Sequence, residues 1–225
     1  MIKGFFATDA AYKEMRSRYT AVDGLLAIGL WMLVMGLYYA IGVVAVRKHI
    51  VLGIPANFLL MGVCLLLVLG RGQKLASIGV TGKKLGKSLL LGAVAGVVLS
   101  FLMNVLPNLI AGGKVIPVGK AIYNVFYYFV VIGLAEEIIF RGYIQTRIYG
   151  LIKKDVPAIA MTGVLFYAMH LPYQMPVNGM QLSLVNFAIM FALHIVMNFL
   201  HRKYNSLAAP TVFHGLLDWG GALLR

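Results

Sequence analysis

The feature that most constrains this chain is a series of seven apolar stretches, at residues 24–46, 50–70, 88–111, 119–149, 156–176, 181–200 and 206–224. A helix that crosses a bilayer needs about 20 apolar residues. Backbone amides in hydrocarbon find no water, so a stretch of that length must satisfy them internally, as a helix does. The pattern predicts an all-α, polytopic integral membrane bundle of about seven transmembrane helices. Composition agrees: 61% of residues are hydrophobic and 12% are charged, about half the charged share of a soluble domain. No linker, low-complexity tract or long-period repeat breaks the chain, so residues 1–225 read as one transmembrane domain.

The net charge of +13 comes from lysines and arginines clustered between apolar stretches. No basic patch interleaved with aromatics appears on a polar background, which sets nucleic-acid binding aside. Fifteen lysines and arginines, Lys3 among them, fall on the N-terminal side of the predicted bundle; Arg47, Lys48, Lys114, Lys120 and Arg225 fall on the other. That asymmetry predicts a cytoplasmic N-terminus. The first segment carries Asp9 and Glu14 and no early apolar core, so it is not read as a cleavable signal. Its Phe5, Phe6, Tyr12, Lys13, Arg16 and Arg18 suit the membrane interface. The single cysteine, Cys64, permits no disulfide within the chain and is read as packing. Gly92 and Gly96 form a G-x-x-x-G pair that lets two helices approach closely.

Against this background the fourth stretch is anomalous: it carries Glu136, Glu137 and Arg141 in "GLAEEIIFRGYIQTRIYG". Two further segments hold ionisable groups inside apolar sequence, "FYAMH" with Phe166 and His170, and "HGLLD" with His214 and Asp218. If the chain turns near residue 153, Glu136 and His170 lie equally far from the turn on antiparallel helices, about 25 Å along each. His214 and Asp218 follow the next turn on the same side, near residue 203, and reach a similar or shallower depth. Three segments distant in sequence thus place their ionisable groups in one layer. Each charge at the centre of a membrane helix costs roughly 2.5–3.5 kcal/mol, and such residues mark function by default. Glu137 and Arg141 are spaced to pair along one helix face. Glu136 points about 100° away, towards other partners. Pro172, following His170, opens the local backbone.

The chemistry has two versions. Glu136, His170 and His214 are a ligand set suited to a divalent metal, zinc above all, and a metal-bound water attacks carbonyls near neutral pH. Without metal, Glu136 serves as general base and His170 holds the water, while His214, with Asp218 beside it, stabilises the oxyanion. Both end in amide hydrolysis, and spacing does not separate them. There is no H-E-x-x-H and no G-x-S-x-G.

The ordered set Glu136-Glu137-x-x-x-Arg141, Phe166-x-x-x-His170 and His214-x-x-x-Asp218 resembles the CPBP group, the type II CAAX prenyl endopeptidases and the bacterial Abi, or bacteriocin-immunity-type, membrane proteins. The resemblance spans about residues 120–222; the first three stretches match only in being apolar. It implies an intramembrane metalloendopeptidase acting on a membrane-associated or lipidated peptide or protein. Glu136, Glu137, His170, His214 and Asp218 are the implied catalytic set, with Arg141 and Phe166 supporting. In a bacterial cell membrane it implies a pheromone or bacteriocin precursor rather than a prenylated protein. The family's best-understood members carry Asn where this chain has Asp218, so the oxyanion role does not transfer directly. A rival from the same group is a non-enzymatic immunity or peptide-binding protein. A small proton-coupled transporter is a further rival, but its expected internal repeat is missing. His194 is read as an interhelical hydrogen-bonding residue, His49 and His201 as headgroup contacts, and Tyr38, Tyr39, Tyr127 and Tyr128 as interface or packing residues.

Overall fold

Asp9 caps helix α1 (Ala10–Ser17), its carboxylate accepting from the Ala11 N–H at 2.9 Å. The computed structural model describes residues 6–224; Lys3, Phe5 and Arg225 lie outside the described residues. Seven longer helices follow: α2 (Ala21–Lys48), α3 (Gly53–Gly70), α4 (Leu85–Ile110), α5 (Val118–Gly150), α6 (Asp155–Asn178), α7 (Leu184–Tyr204) and α8 (Ala208–Leu223). The first six of these are long and apolar enough to cross a membrane. The seventh differs from expectation. With 16 residues it reaches about 24 Å, short of the roughly 30 Å hydrocarbon core.

That short helix is held by its neighbours. Ser88, Gly92, Gly96 and Ser100 are the buried residues of the first part of α4, one per turn. A Cβ on Gly92 would lie 2.3 Å from the Ala209 carbonyl oxygen, and one on Gly96 would lie 2.9 Å from Leu216. Ser88 Oγ accepts from the Ala209 N–H at 3.0 Å. Small side chains therefore let α4 and α8 pack backbone against backbone, as the G-x-x-x-G pair predicts. Cys64 is buried, its thiol directed at the Ile138 carbonyl at 3.7 Å.

The bundle is apolar outside and partly polar inside. Leu66, Leu90, Ile122 and Val185 are 66–70% exposed, the surface that lipid covers. Arg141, Arg147, Glu137 and Thr146 are wholly buried. Arg147 shows how such a charge is accommodated: it donates to the carbonyls of Ser77 and Gly142 and to Gln73 Oε1, and stacks on Tyr19 and Tyr143. Both of its terminal nitrogens are bonded, which reduces the cost of burying the cation.

The two ends of the bundle differ. Lys13, Arg16, Arg18, Arg71, Lys74, Lys83, Lys84, Lys87, Arg147, Lys153, Lys154, Arg202 and Lys203 lie at the end that carries α1, and Arg47, Lys48, Lys114 and Lys120 lie at the other. Helix α1 is not free in the interface. Arg16 and Arg202 both pair with Asp155, the Asp9 N–H donates to the Arg202 carbonyl at 2.9 Å, and Tyr12 packs edge-on against His201. His201, expected at the headgroups, is therefore buried beneath this helix. Burial works against ionisation of Asp9, yet the Lys84 ammonium at 2.5 Å and the Ala11 N–H hold its carboxyl below the usual range.

Candidate active site

Helix α5 sets the site. Its backbone widens into π-helical turns over Tyr127–Leu134 and Ile138–Ile144, and the short α-helical segment Ala135–Glu137 lies between them. Such turns shift the phase of the side chains that follow and recur at functional sites. Between them, Glu136 and Glu137 lie about 100° apart on the α-helical segment and so face different helices.

Glu136 faces α6. Its Oε2 lies 3.8 Å from His170 Nε2 and, though buried, has no hydrogen-bond partner. The other ring nitrogen, His170 Nδ1, is 2.7 Å from the Phe166 carbonyl oxygen. A carbonyl only accepts, so Nδ1 carries the proton in the neutral ring and the Nε2 lone pair points at Glu136. Phe166 also stacks edge-on with His170, ring centroids 4.8 Å apart. Glu136 and His170 thus lie at one depth, with both the carbonyl and the ring of Phe166 against His170.

Glu137 faces α8. Its Oε1 accepts from His214 Nδ1 at 3.0 Å and lies 3.5 Å from Arg141 Nη1. His214 Nε2 is 3.4 Å from Asp218 Oδ2, one turn along α8. The Arg141 guanidinium is centred 3.8 Å over the Phe166 ring, and its Nη2 reaches Met197 Sδ at 3.6 Å. Arg141 thereby ties the glutamate pair to the residue that orients His170. All three motif segments converge on one layer.

A cavity of about 450 Å³ opens onto this layer, walled by Glu136, Phe166, His170, His214 and Asp218. Glu137 and Arg141 do not line it. Glu137, grouped above with the catalytic candidates, is wholly buried and meets the cavity only through His214. Helices α5 and α8 pack closely here: a Cβ on Gly133 would lie 3.2 Å from the Thr211 carbonyl oxygen.

The expected zinc set does not assemble. Glu136 Oε2 and His170 Nε2 offer two donors facing one point, but both ring nitrogens of His214 are already turned to carboxylates, Glu137 and Asp218. Among the described residues no three His, Cys, Asp or Glu side chains come together in metal-ligand geometry. Three protein ligands are the rule for catalytic zinc, and Glu136, His170 and His214 do not supply them as arranged.

Several wall residues escaped the sequence motifs. Tyr38 donates to Asn57 Oδ1 at 2.8 Å, and Asn57 Nδ2 donates to the Val131 carbonyl at 3.0 Å, just before the glutamates. Both line the cavity, as do Tyr127, Tyr128, Tyr173 and Gln174. A lone asparagine inside an apolar stretch was the available signal for Asn57. His194, by contrast, bonds Thr162 Oγ1 across helices at 3.2 Å and stays off the cavity, as expected.

The sequence model of the type II CAAX prenyl endopeptidase Rce1-like family matches residues 118–220. No curated protein and no solved structure matches the chain. The matched segment begins with α5, ends within α8 and contains Glu136, His170, His214 and Asp218. Residues 118–220 are thus similar to the type II CAAX prenyl endopeptidase Rce1-like family, in a match that covers a little under half of the chain.

Proposed function

We propose that this protein is an intramembrane endopeptidase that hydrolyses a peptide bond of a membrane-associated peptide or protein, with a water held between Glu136 and His170 as nucleophile. The observation that carries it is the facing pair itself: two acceptors, the buried Glu136 Oε2 and the half-buried His170 Nε2, 3.8 Å apart on a cavity wall. A water between them donates one hydrogen to each, which leaves its lone pairs directed into the cavity. Glu136 takes the proton as the water oxygen bonds to the scissile carbonyl carbon. The oxyanion forms at His214 Nε2, displacing the Asp218 contact, and Glu137 holds the far side of the ring at 3.0 Å. Collapse breaks the carbon–nitrogen bond, and Glu136 returns the proton to the departing amine. One water is consumed, and an acid and an amine result.

No step is routed through a metal, because the ligand geometry provides only two donors at the water position. The family match supports a peptidase at the level of its name. A bacterial cell membrane and a pheromone or bacteriocin-type precursor extend that reading.

Purified protein in lipid nanodiscs, incubated with a library of membrane-associated peptides, tests it. Wild type should cleave members of the library, and Glu136→Gln, nearly isosteric, should not. Peptide retained by both proteins without cleavage would favour an immunity or peptide-binding role.

A further inference from the structure

We propose that the cavity is loaded from the membrane face opposite the N-terminus, so that the substrate is a segment presented outside the cytoplasm. What happens to that segment rests on the peptidase reading; where it enters does not.

The walls beyond the glutamate–histidine layer all come from one end of the bundle. Gly53 opens α3, and Gln174 and Asn178 lie in the last turns of α6, at the end away from α1. A second hollow of about 420 Å³ shares Gln174 and Asp218 with the first and extends to Asn104 and Gly221. Those two belong to the same end, where the Ile116 N–H donates to the Leu223 carbonyl at 3.1 Å. The two hollows meet at Asp218, so a chain can pass the site with residues on both sides of the scissile bond, as an endopeptidase requires.

The opposite direction is closed. Below the site, Arg141, Gln145, Thr146 and Arg147 are each no more than 2% exposed, and α1 covers the helix ends through Tyr12 and the Asp155 ion pairs. Among the described residues, thirteen lysines and arginines lie at that closed end against four at the open one. Such a bias places the closed end in the cytoplasm. Among the described residues no lysine or arginine lines the cavity, while Glu136 and Asp218 do, which suits a neutral or cationic segment over an acidic one.

Single cysteines test entry directly. Asn178→Cys lies at the mouth and Lys74→Cys on the closed face; native Cys64 is buried and serves as background. Intact cells treated with a membrane-impermeant maleimide should label Asn178→Cys, and Lys74→Cys only after permeabilisation. The reverse pattern would overturn the proposal. Peptide termini that depend on Glu136 should map to non-cytoplasmic segments of their parent proteins. Termini confined to cytoplasmic segments would overturn outside loading while leaving proteolysis intact. If no such termini form, proteolysis fails and the labelling pattern still decides the orientation.

Discussion

Glu136 Oε2 faces His170 Nε2 at 3.8 Å, while His170 Nδ1 is committed to the Phe166 carbonyl at 2.7 Å. The gap is too long for a direct hydrogen bond and suits a shared water. Glu136→Gln and His170→Ala should therefore each lower the cleavage rate by roughly 10²–10⁴-fold. Because the two act on one water, the double variant should be little worse than either single. Single-turnover rates on a substrate peptide check this; additive losses would separate the two residues.

Asp218 sits where an amide would keep the same contact. Asn at this position still presents an oxygen to His214 Nε2, now 3.4 Å from Asp218 Oδ2, and adds a donor for the oxyanion. Asp218→Asn should retain activity within about tenfold, and Asp218→Ala, which leaves His214 Nε2 without its resting partner, should lose more. Comparing kcat for the two variants decides it. Equal losses would mean that the carboxylate charge itself is needed.

Glu137 and Arg141 are both wholly buried and paired at 3.5 Å. Removing one partner of such a pair costs about 3–5 kcal/mol, because the other charge is left uncompensated. Glu137→Gln should therefore lower the melting temperature in detergent markedly, whereas Glu136→Gln, which has no such partner, should leave it nearly unchanged. Thermal unfolding of both variants reads the difference.

Small residues decide whether α8 is seated. Gly92→Leu places a side chain where even a Cβ would lie 2.3 Å from the Ala209 carbonyl oxygen, but Gly29 has nothing within 4 Å. Gly92→Leu should abolish the monodisperse peak in size-exclusion chromatography, and Gly29→Leu should not.

Chelation addresses the nucleophile's activation. With two donors at the water position and His214 held by Glu137 and Asp218, cleavage should persist in a zinc chelator. Loss of activity together with one zinc per chain, restored by zinc, would require His214 to turn from its carboxylates and complete a ligand set.

Much of this was legible in the sequence because membrane solvent imposes strong, local rules. Stretches 24–46 and 156–176 became Ala21–Lys48 and Asp155–Asn178, since apolar length alone specifies a spanning helix. The convergence of Glu136, His170 and His214 followed from counting residues out from two turns, as antiparallel geometry allows. Other features lay beyond such counting. The π-helical turns of α5 on either side of Glu136 and Glu137 have no sequence period that announces them. Burial of His201 depends on α1 folding back over α7, a contact between the chain's beginning and end. Asn57 and Tyr38 became cavity residues only because α2 and α3 pack beside Val131.

The most direct test of the central claim compares membrane and secreted peptides from cells carrying wild type or Glu136→Gln at matched expression, with termini mapped by mass spectrometry. Hydrolysis by a Glu136-held water predicts new peptide termini in the wild-type cells that vanish in the variant. Identical peptide pools, with any cellular phenotype retained by the variant, would contradict it.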